Sequence, residues 1–117
     1  MLALFCGSRD YTNYRGVDRA LDCLRNVDSE VTVLHGGARG PDTFAQVAAV
    51  KSSCKHIAVH PDWHRFGKQA GFLRNAQMLE MNPDIVLAFW DGHSRGTRHT
   101  IDLAINRYRI PVVIYYS

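Results

Sequence analysis

The sequence predicts an α/β protein: one domain, residues 1–117, in which about five parallel strands form a doubly wound sheet with helices on both faces. Three observations predict this fold class. Short apolar runs alternate along the chain with stretches whose apolar residues recur at helical spacing. Glycine-rich turns follow several of these runs. The length of 117 residues leaves room for a single domain. This alternating order implies right-handed crossovers between parallel strands.

Five nearly continuous apolar or β-branched runs are typical of strands that are buried on both faces. They are Leu2–Cys6, Val31–His35, His56–His60, Ile85–Phe89 and Val112–Tyr116. Four stretches between them carry an apolar stripe that predicts a helix packed on the sheet. The stripes are Val17, Ala20, Leu21 and Leu24; Phe44, Val47 and Ala48; Phe72, Leu73, Ala76 and Leu79; and Ile101, Ala104, Ile105 and Tyr108. Pro41 suits the first turn of a helix, Pro83 stops the third helix, and Pro111 precedes the last strand.

The composition excludes several classes of protein. Hydrophobic residues make up 46% of the chain and charged residues 21%, which argues against disorder. No apolar run approaches the roughly 20 residues that span a bilayer, and Leu2–Cys6 is too short for the core of a signal peptide. We therefore expect a cytoplasmic protein with no membrane partner.

The charge and the cysteines narrow the expected partners further. The formal net charge of +3 permits a phosphate ligand but does not indicate nucleic acid. Cys6, Cys23 and Cys54 lack the spacing of a metal site, so we expect buried free thiols in a reducing compartment. We expect no metal, no required cofactor, and pairing into a homodimer.

The turns after the predicted strands carry residues that suit a phosphate. The carboxyl ends of parallel strands share one edge of a sheet, and ligands bind there in such folds. Glycine lets the backbone approach a ligand, and helix N-termini offer free N–H groups. Arg9, Arg39 and Arg95 add planar guanidinium groups that match phosphate. The sequence therefore predicts a phosphorylated ligand, a nucleotide or a derivative of one.

The first of these turns contains Gly7, Ser8 and Arg9. Gly7 allows a tight turn, and Ser8 with the following N–H groups is suited to cradle a phosphate. An ordinary turn, in which Ser8 or Thr12 caps the next helix, explains the same residues equally well.

The second turn, HGGARGPD, is a stronger signal because three glycines around one arginine exceed what a turn requires. We expect its N–H groups to reach an anion over which the arginine closes. The assigned ligand-binding residues are Gly36, Gly37, Ala38, Arg39, Gly40 and Asp42. Since a carboxylate repels a phosphate, Asp42 is expected to accept from a ribose hydroxyl, to cap N–H groups or to orient Arg39.

The third cluster lies in and before the third helix. Glycine costs about 1 kcal/mol relative to alanine inside a helix, so Gly71 suggests the close approach of a backbone or a ligand. Arg74 and Asn75 are expected to face the ligand while Phe72 faces the core, although spacing alone slightly favours exposed polar residues. Upstream, the irregular segment 61–67 carries Trp63, which suits stacking on a base in a loop that covers a ligand. An aromatic side chain in a loop more often packs over the edge of the core.

The fourth cluster is the turn DGHSRGT, which offers a second anion cradle. Gly92, Ser94, Gly96 and Thr97 are its expected ligand-binding residues. The alternative is that Ser94 or Thr97 only caps the helix. Two cradles suit a ligand with more than one polar group, such as a nucleotide or a dinucleotide.

Together these turns resemble the SLOG superfamily, the Rossmann-like group that includes the SMF/DprA proteins and the LOG nucleotide hydrolases. The branch with the greatest similarity is the YspA-like, YpsA-related one. The matching segments are GSRDYTNY at 7–14, HGGARGPDTFA at 35–45, PDWHRFGKQAGFLRNAQM at 61–78 and FWDGHSRGTRHTIDLA at 89–104. The resemblance implies a Rossmann-like sheet that binds a nucleotide-derived ligand, and it adds support for Gly71, Arg74 and Asn75.

The resemblance also bears on catalysis. The LOG enzymes cleave the N-glycosidic bond of nucleoside monophosphates with a glutamate in the last motif, where this sequence has Thr100. Asp91 and His93 replace the proline and the second glycine of that motif. The usual acid–base group is therefore missing. Asp42 is the one carboxylate that we consider as a catalytic substitute.

Three hypotheses follow. The first is a domain that binds a nucleotide or an ADP-ribose-like molecule as a sensor or a sequestering protein. The second is a nucleoside-phosphate N-glycosidase of the phosphoribohydrolase type. The third, which the mild charge and the short length disfavour, is binding of single-stranded DNA.

Overall fold

A five-stranded parallel sheet forms the centre of the molecule, in the order β3-β2-β1-β4-β5. The computed structural model describes residues 1–116. The strands are β1 (Leu2–Gly7), β2 (Thr32–His35), β3 (Lys55–Ala58), β4 (Ile85–Trp90) and β5 (Val112–Tyr116). The helices are α1 (Tyr14–Val27), α2 (Pro41–Lys51), α3 (Trp63–Phe66), α4 (Ala70–Glu80) and α5 (Arg95–Leu103), which a π-helical turn extends over Ala104–Tyr108. The predicted fold class is confirmed.

The sheet separates two apolar layers because alternate side chains of a strand point to opposite faces. In β1, Phe5 lies in one layer, against α1 and α2. Its neighbour Leu4 lies in the other layer, against α4 and α5. Leu4 pairs with Leu34 of β2 on one side and with Val86 of β4 on the other, so β1 occupies the middle of the sheet.

No residue of β5 is fully buried, contrary to the prediction, but the positions of the strands agree with the predicted runs except at β3. This strand ends at Ala58 instead of extending to His60, and all four of its residues are exposed. It forms one edge of the sheet and pairs only with β2. An exposed edge strand carries a weaker apolar pattern, which explains the misplaced boundary.

The predicted buried faces of three helices need correction. Phe72 and Leu73 of α4 are 43% and 39% exposed, and the expectation that Phe72 faces the core is wrong. Val47 and Ile105 are each 51% exposed. In α2 the buried face is built from alanines, which allow a helix to pack close to a sheet. In α4 it includes Asn75, a polar residue that apolar periodicity does not select.

The segment predicted to be irregular, 61–67, contains the short helix α3. Asp62 begins this helix by accepting a hydrogen bond from the Arg65 backbone N–H at 3.1 Å. Gly67 ends it with a φ of 58°, a left-handed conformation that glycine adopts easily. A 3-10 turn, Gly67–Gln69, then leads directly into α4.

Two smaller expectations are also corrected. Only Cys6 of the three cysteines is buried; Cys23 is exposed and Cys54 is partly exposed. Helix α1 is capped by Asn13, which accepts from the Gly16 N–H at 3.1 Å, and not by Ser8 or Thr12. Within residues 1–116, no helix combines the length and the apolar character that crossing a bilayer requires.

Candidate functional site

A polar crevice lies at the carboxyl ends of β1 and β4, the two strands whose following helices, α1 and α5, pack on opposite faces of the sheet. In open α/β sheets this switch point is where ligands bind. The crevice contains a cavity of about 450 Å³, which we call the main cavity. Ten predicted residues line it: Gly7, Ser8, Arg9, Ala38, Asp42, Arg74, Asn75, Ser94, Gly96 and Thr97.

Six further residues line the main cavity that the sequence did not assign to ligand binding. They are Cys6, Asp10, Met78, Asp91, His93 and Thr100. Cys6 and Asp10 flank the first turn, so their position in the sequence was a usable signal. Met78 lies one helical turn after Arg74, on the same face of α4.

Two smaller cavities adjoin the main one. The second cavity, about 340 Å³, is lined by Arg9, Gly36, Gly37, Ala38, Arg39, His60, Pro61, Trp63 and Arg74. The third cavity, about 180 Å³, is lined by Arg9, Trp63, Lys68, Gly71, Phe72, Arg74, Asn75 and Gly96. Of the predicted residues, Gly40 and Gly92 line none of these three cavities.

The turn after β1 is packed tightly against its neighbours. A Cβ on Gly7 would lie 2.5 Å from both the Phe89 carbonyl oxygen and Pro41 Cγ, so only glycine fits there. The Ser8 N–H donates to the same carbonyl oxygen at 2.9 Å. The Ser8 hydroxyl oxygen accepts from the Asp91 N–H at 3.0 Å, which joins the ends of β1 and β4.

The turn between β2 and α2 satisfies its own N–H groups. Asp42 Oδ2 accepts from the Gly36 N–H at 2.8 Å and from the Ala38 N–H at 3.4 Å. The Gly37 N–H donates to His35 Nδ1 at 3.0 Å. Of the alternatives for Asp42, the capping of N–H groups is therefore observed. The expectation that Gly36 and Gly37 present free N–H groups to an anion is corrected.

Asp42 is a buried acid within the main cavity. Asp42 is only 4% exposed to solvent. Burial raises the pKa of Asp42 to about 6, against the opposing effects of the Gly36 and Ala38 N–H groups and the Arg74 charge. Asp42 therefore titrates close to neutral pH, and its ionised form adds a negative charge to the cavity wall.

Arg74 and Asn75 connect the turns that surround the crevice. Arg74 donates through Nη1 to the Gly36 carbonyl oxygen and through Nε to Asn75 Oδ1, the latter at 2.9 Å. Asn75 Nδ2 donates to the Gly96 carbonyl oxygen at 3.3 Å. These hydrogen bonds connect α4 to both the β2–α2 turn and the start of α5. The two residues therefore hold the walls of the crevice together and also line it.

The turn between β4 and α5 leaves the helix N-terminus open. Asp91 Oδ1 accepts from the His93 and Ser94 N–H groups at 2.7 and 2.8 Å, and these bonds lower the pKa of Asp91. No side chain caps α5 at Ser94. A Cβ on Gly96 would meet no atom within 4 Å. The first N–H groups of α5 therefore have no side-chain cap, and Ser94, Gly96 and Thr97 at this end of the helix line the main cavity.

The arginines at the crevice differ in their surroundings. Arg39 lies 3.7 Å from Asp10 in an exposed pair, with Arg39 74% exposed. Within the part of the chain that the structure describes, no carboxylate lies within 4 Å of the Arg9 or Arg74 guanidinium. Burial lowers the pKa of Arg74, Asp42 opposes this effect, and the charge of Arg9 adds to it. The two cations thus lie near each other without a paired anion.

Metal binding receives no support from the side-chain geometry. Among residues 1–116, no group of three or more His, Cys, Asp or Glu side chains is arranged to hold a metal ion. The main cavity instead combines cationic, hydroxyl and carboxylate groups, which suits a polar organic ligand with an anionic part.

A doubly wound parallel sheet with a polar crevice at its switch point defines a Rossmann-like α/β protein. The family model described as YspA, cpYpsA-related SLOG matches residues 1–66. The chain is also 38% identical to the Gene 61 protein of Mycobacterium phage D29 over 116 residues, covering 94% of this chain and 92% of the phage protein. The chain belongs to the YspA, cpYpsA-related SLOG family, as its motifs predicted.

Two solved structures share the fold. DNA processing protein A (DprA) from Streptococcus pneumoniae superimposes with a TM-score of 0.79 at 21% identity. The match covers 96% of this chain and 49% of DprA, so the chain spans about half the length of that protein. The C-terminal domain of the PF1911 hydrogenase from Pyrococcus furiosus gives a TM-score of 0.57 at 17% identity, over 97% of this chain and 89% of that domain.

Proposed function

We propose that the protein binds a phosphorylated, nucleotide-derived small molecule in the main cavity and acts as a sensor or a sequestering protein. Membership of the SLOG family supports a nucleotide-related role. The position of the cavity at the switch point of the sheet supports a ligand of this kind. The cavity volume of about 450 Å³ is in the range of small-molecule sites.

The observation that carries this proposal is the meeting of two anion-binding features in one cavity. The uncapped N-terminus of α5 offers N–H groups and the positive end of the helix dipole. Arg9 and Arg74 line the same cavity and have no carboxylate within 4 Å among the described residues. A phosphate placed between them accepts from the helix and neutralises the two cations.

Isothermal titration calorimetry tests the proposal with ADP-ribose, AMP, ribose 5-phosphate and a single-stranded oligonucleotide. We expect heat of binding with at least one of the small phosphates. Arg9→Gln is expected to weaken it about tenfold or more, since a hydrogen bond to a charged group contributes about 1.5–3 kcal/mol. Arg15→Gln, an equal charge change at an exposed position on α1, is the matched control and should leave the affinity unchanged.

Two outcomes would count against this function. Absence of heat with all three small phosphates would remove its support. Binding of the oligonucleotide alone, with an affinity that falls steeply as salt rises, would favour a DNA-binding role instead.

Hydrolysis of an N-glycosidic bond is the second candidate function, and Asp42 is the observation that favours it. An acid that lines the ligand cavity and has a pKa of about 6 is suited to donate or accept a proton near neutral pH. Incubation with nucleoside monophosphates followed by chromatography for free base tests this activity. Release by the wild type and its loss in Asp42→Asn would establish it; equal release by the variant would exclude Asp42 as the acid.

A further inference from the structure

The outer side of the edge strand β3 has no partner strand among the described residues. β3 pairs with β2 alone, and all four of its residues are exposed. The Val59 N–H, just beyond the strand, donates to the His35 carbonyl oxygen at the end of β2 at 2.9 Å. Because successive residues of a strand direct their backbone groups to alternate sides, the N–H and C=O groups of Ile57 also point to β2. Those of His56 and Ala58 therefore point outward, where a further strand would pair.

Apolar side chains surround this free edge on both faces of the sheet. Ile57 is 38% exposed and lies on the same face as its partner in β2, Leu34. On the other face, Val47 and Val50 of α2 are 51% and 61% exposed. Val50 lines a groove of about 630 Å³ together with His56 and Ile57, so this flank of α2 borders β3. Covering these side chains would remove apolar surface from water, which favours association.

The free edge carries little charge that would repel another chain. Lys55 is the only Lys, Arg, Asp or Glu in the segment 52–61. Lys51, at the end of α2, donates to Asp18 of α1 at 3.2 Å, so its ammonium group is directed toward α1. Charged side chains commonly protect edge strands from pairing with other chains. β3 has one such charge, at its first residue.

A second copy of β3 fits this edge in an antiparallel register centred on Ile57. In that register the outward groups of His56 pair with those of Ala58 in the other copy, and the reverse, so every outward group of the strand is satisfied. Ile57 lies opposite Ile57 in the close, non-hydrogen-bonded pair, and Lys55 lies opposite Val59. No two like charges are opposed. The strand is therefore complementary to itself, as a two-fold symmetric contact requires.

We propose that two copies of the chain pair antiparallel through β3 and join their five-stranded sheets into one, with the two α2 helices on the same face. A stable dimer buries roughly 800 Å² on each partner, more than a strand of four residues provides by itself. The contact therefore includes the flank of α2 that carries Val47 and Val50. Since β3 is the edge of the sheet away from β1 and β4, the crevice stays open in both copies.

Sedimentation velocity on the whole chain, over a concentration series that reaches about 100 μM, tests this interface. We expect the wild type to sediment as a dimer. Ile57→Lys places two ammonium groups opposite each other at the two-fold axis, so it should raise the dissociation constant at least about tenfold. Val113→Lys is the matched control because Val113 is 40% exposed in the other edge strand, β5, and it should leave the dimer intact.

His56→Pro tests the same interface without a new charge. Because the His56 N–H points away from β2, proline removes a donor to the second copy and no hydrogen bond within the sheet. The dimer loses one hydrogen bond per copy, so we expect the dissociation constant to rise about tenfold. The circular dichroism spectrum should remain that of the wild type. This variant provides the test if Ile57→Lys does not fold.

Disulfide formation tests the register of the two strands. In a non-hydrogen-bonded antiparallel pair the two Cα atoms lie about 4.5 Å apart, which a disulfide can span. Ile57→Cys should therefore form covalent dimers on mild oxidation. The wild type, with its exposed Cys23, sets the background, and Val113→Cys should not exceed it.

Three results would overturn the β3 interface. The first is a wild type that is monomeric throughout the concentration series. The second is a dimer that both Ile57→Lys and His56→Pro leave intact. The third is a dimer that Val113→Lys dissociates as strongly as Ile57→Lys does, or that Val113→Cys cross-links in place of Ile57→Cys. None of these results bears on ligand binding in the main cavity.

Discussion

The β2–α2 turn and the β4–α5 turn use the same hydrogen-bonding device with opposite electrostatic results. In each turn one carboxylate oxygen accepts two backbone N–H groups: Asp42 in the first turn and Asp91 in the second. The pKa of Asp42 is raised to about 6, whereas the pKa of Asp91 is lowered. Asp42 is buried and Asp91 is partly exposed. Burial therefore outweighs two hydrogen bonds in setting the charge state of a turn carboxylate.

The two turns also differ in what remains for a ligand. In the β2–α2 turn the N–H groups of Gly36, Gly37 and Ala38 are engaged by side chains of the protein. In the β4–α5 turn the first N–H groups of α5 have no side-chain cap. A glycine-rich turn thus serves either as a closed, self-supporting structure or as an open anion site, and the side chains around it decide which.

The largest expected effect is the pH dependence that Asp42 confers on stability. Because its pKa is raised in the folded state, ionised Asp42 lowers the free energy of unfolding above about pH 6, and this cost disappears as the pH falls toward 3.8, the ordinary pKa of an aspartate. Asp42→Asn keeps an acceptor but removes the titration. The stability of the variant relative to wild type should increase by about 2.5 kcal/mol between about pH 4 and about pH 7, measured by urea unfolding.

Asp91→Asn is the control for this prediction, because its pH dependence has the opposite sign. Ionised Asp91 is favoured in the folded state, so its stabilising contribution is present above about pH 4 and is lost as the pH falls through its lowered pKa. Asp91→Asn should therefore become less stable than the wild type as the pH rises through the range in which Asp91 ionises. Parallel curves for the two variants would contradict the comparison.

The next largest effect on stability is expected when a glycine of each turn is replaced by alanine. A Cβ on Gly36 would collide with the Arg74 guanidinium, so Gly36→Ala should lower the free energy of unfolding by about 1–3 kcal/mol. A Cβ on Gly96 meets no atom within 4 Å, so Gly96→Ala should leave stability unchanged or raise it by less than about 1 kcal/mol. Thermal unfolding measures both, and equal losses would show that the second turn is not open.

A smaller effect tests whether the two turns are connected through α4. Asn75→Ala removes the acceptor of Arg74 Nε and the donor to the Gly96 carbonyl oxygen, and we expect a loss of about 1–2 kcal/mol. Arg74→Lys keeps the charge but loses the fork that makes two hydrogen bonds, and it should cost about 1 kcal/mol. Because Arg74 and Asn75 share a hydrogen bond, their double-mutant cycle should give a coupling of at least about 0.5 kcal/mol. Additive losses would mean that each turn is supported separately.

The smallest effect is expected at Arg39. Its pair with Asp10 is exposed and 3.7 Å long, so Arg39→Ala should change the free energy of unfolding by less than about 0.5 kcal/mol. A loss above about 1 kcal/mol in urea unfolding would show that this arginine supports the β2–α2 turn, contrary to its exposed position.

The parts of the molecule that the sequence predicted well are those that depend on local composition. The central strands were found because burial on both faces requires a continuous apolar run, and the turns were found because glycine marks close backbone approach, as at Gly7. The buried face of α4 was predicted wrongly because it includes a polar residue, Asn75, whose side chain forms hydrogen bonds with Arg74 and the Gly96 carbonyl oxygen. The Gly96 partner lies 21 residues away in the chain, so periodicity does not reveal it.

The roles within the site were predictable only in outline. Ten of the predicted residues meet in the main cavity because the carboxyl edge of a parallel sheet gathers them. That Asp42 would satisfy the Gly36 N–H, and that the N-terminus of α5 would stay uncapped, depends on side-chain geometry that a single sequence does not contain.

The central position of β1 has a consequence for the growing chain during translation. The partner of β1 on one side, β4, is synthesised late: the Leu2 N–H contacts Asp84 Oδ2 across a separation of 82 residues. Until β4 emerges from the ribosome, one edge of β1 lacks its partner and invites association with other chains. The crevice is assembled from both strands, so the ability to hold a ligand arises only when this late pairing is made.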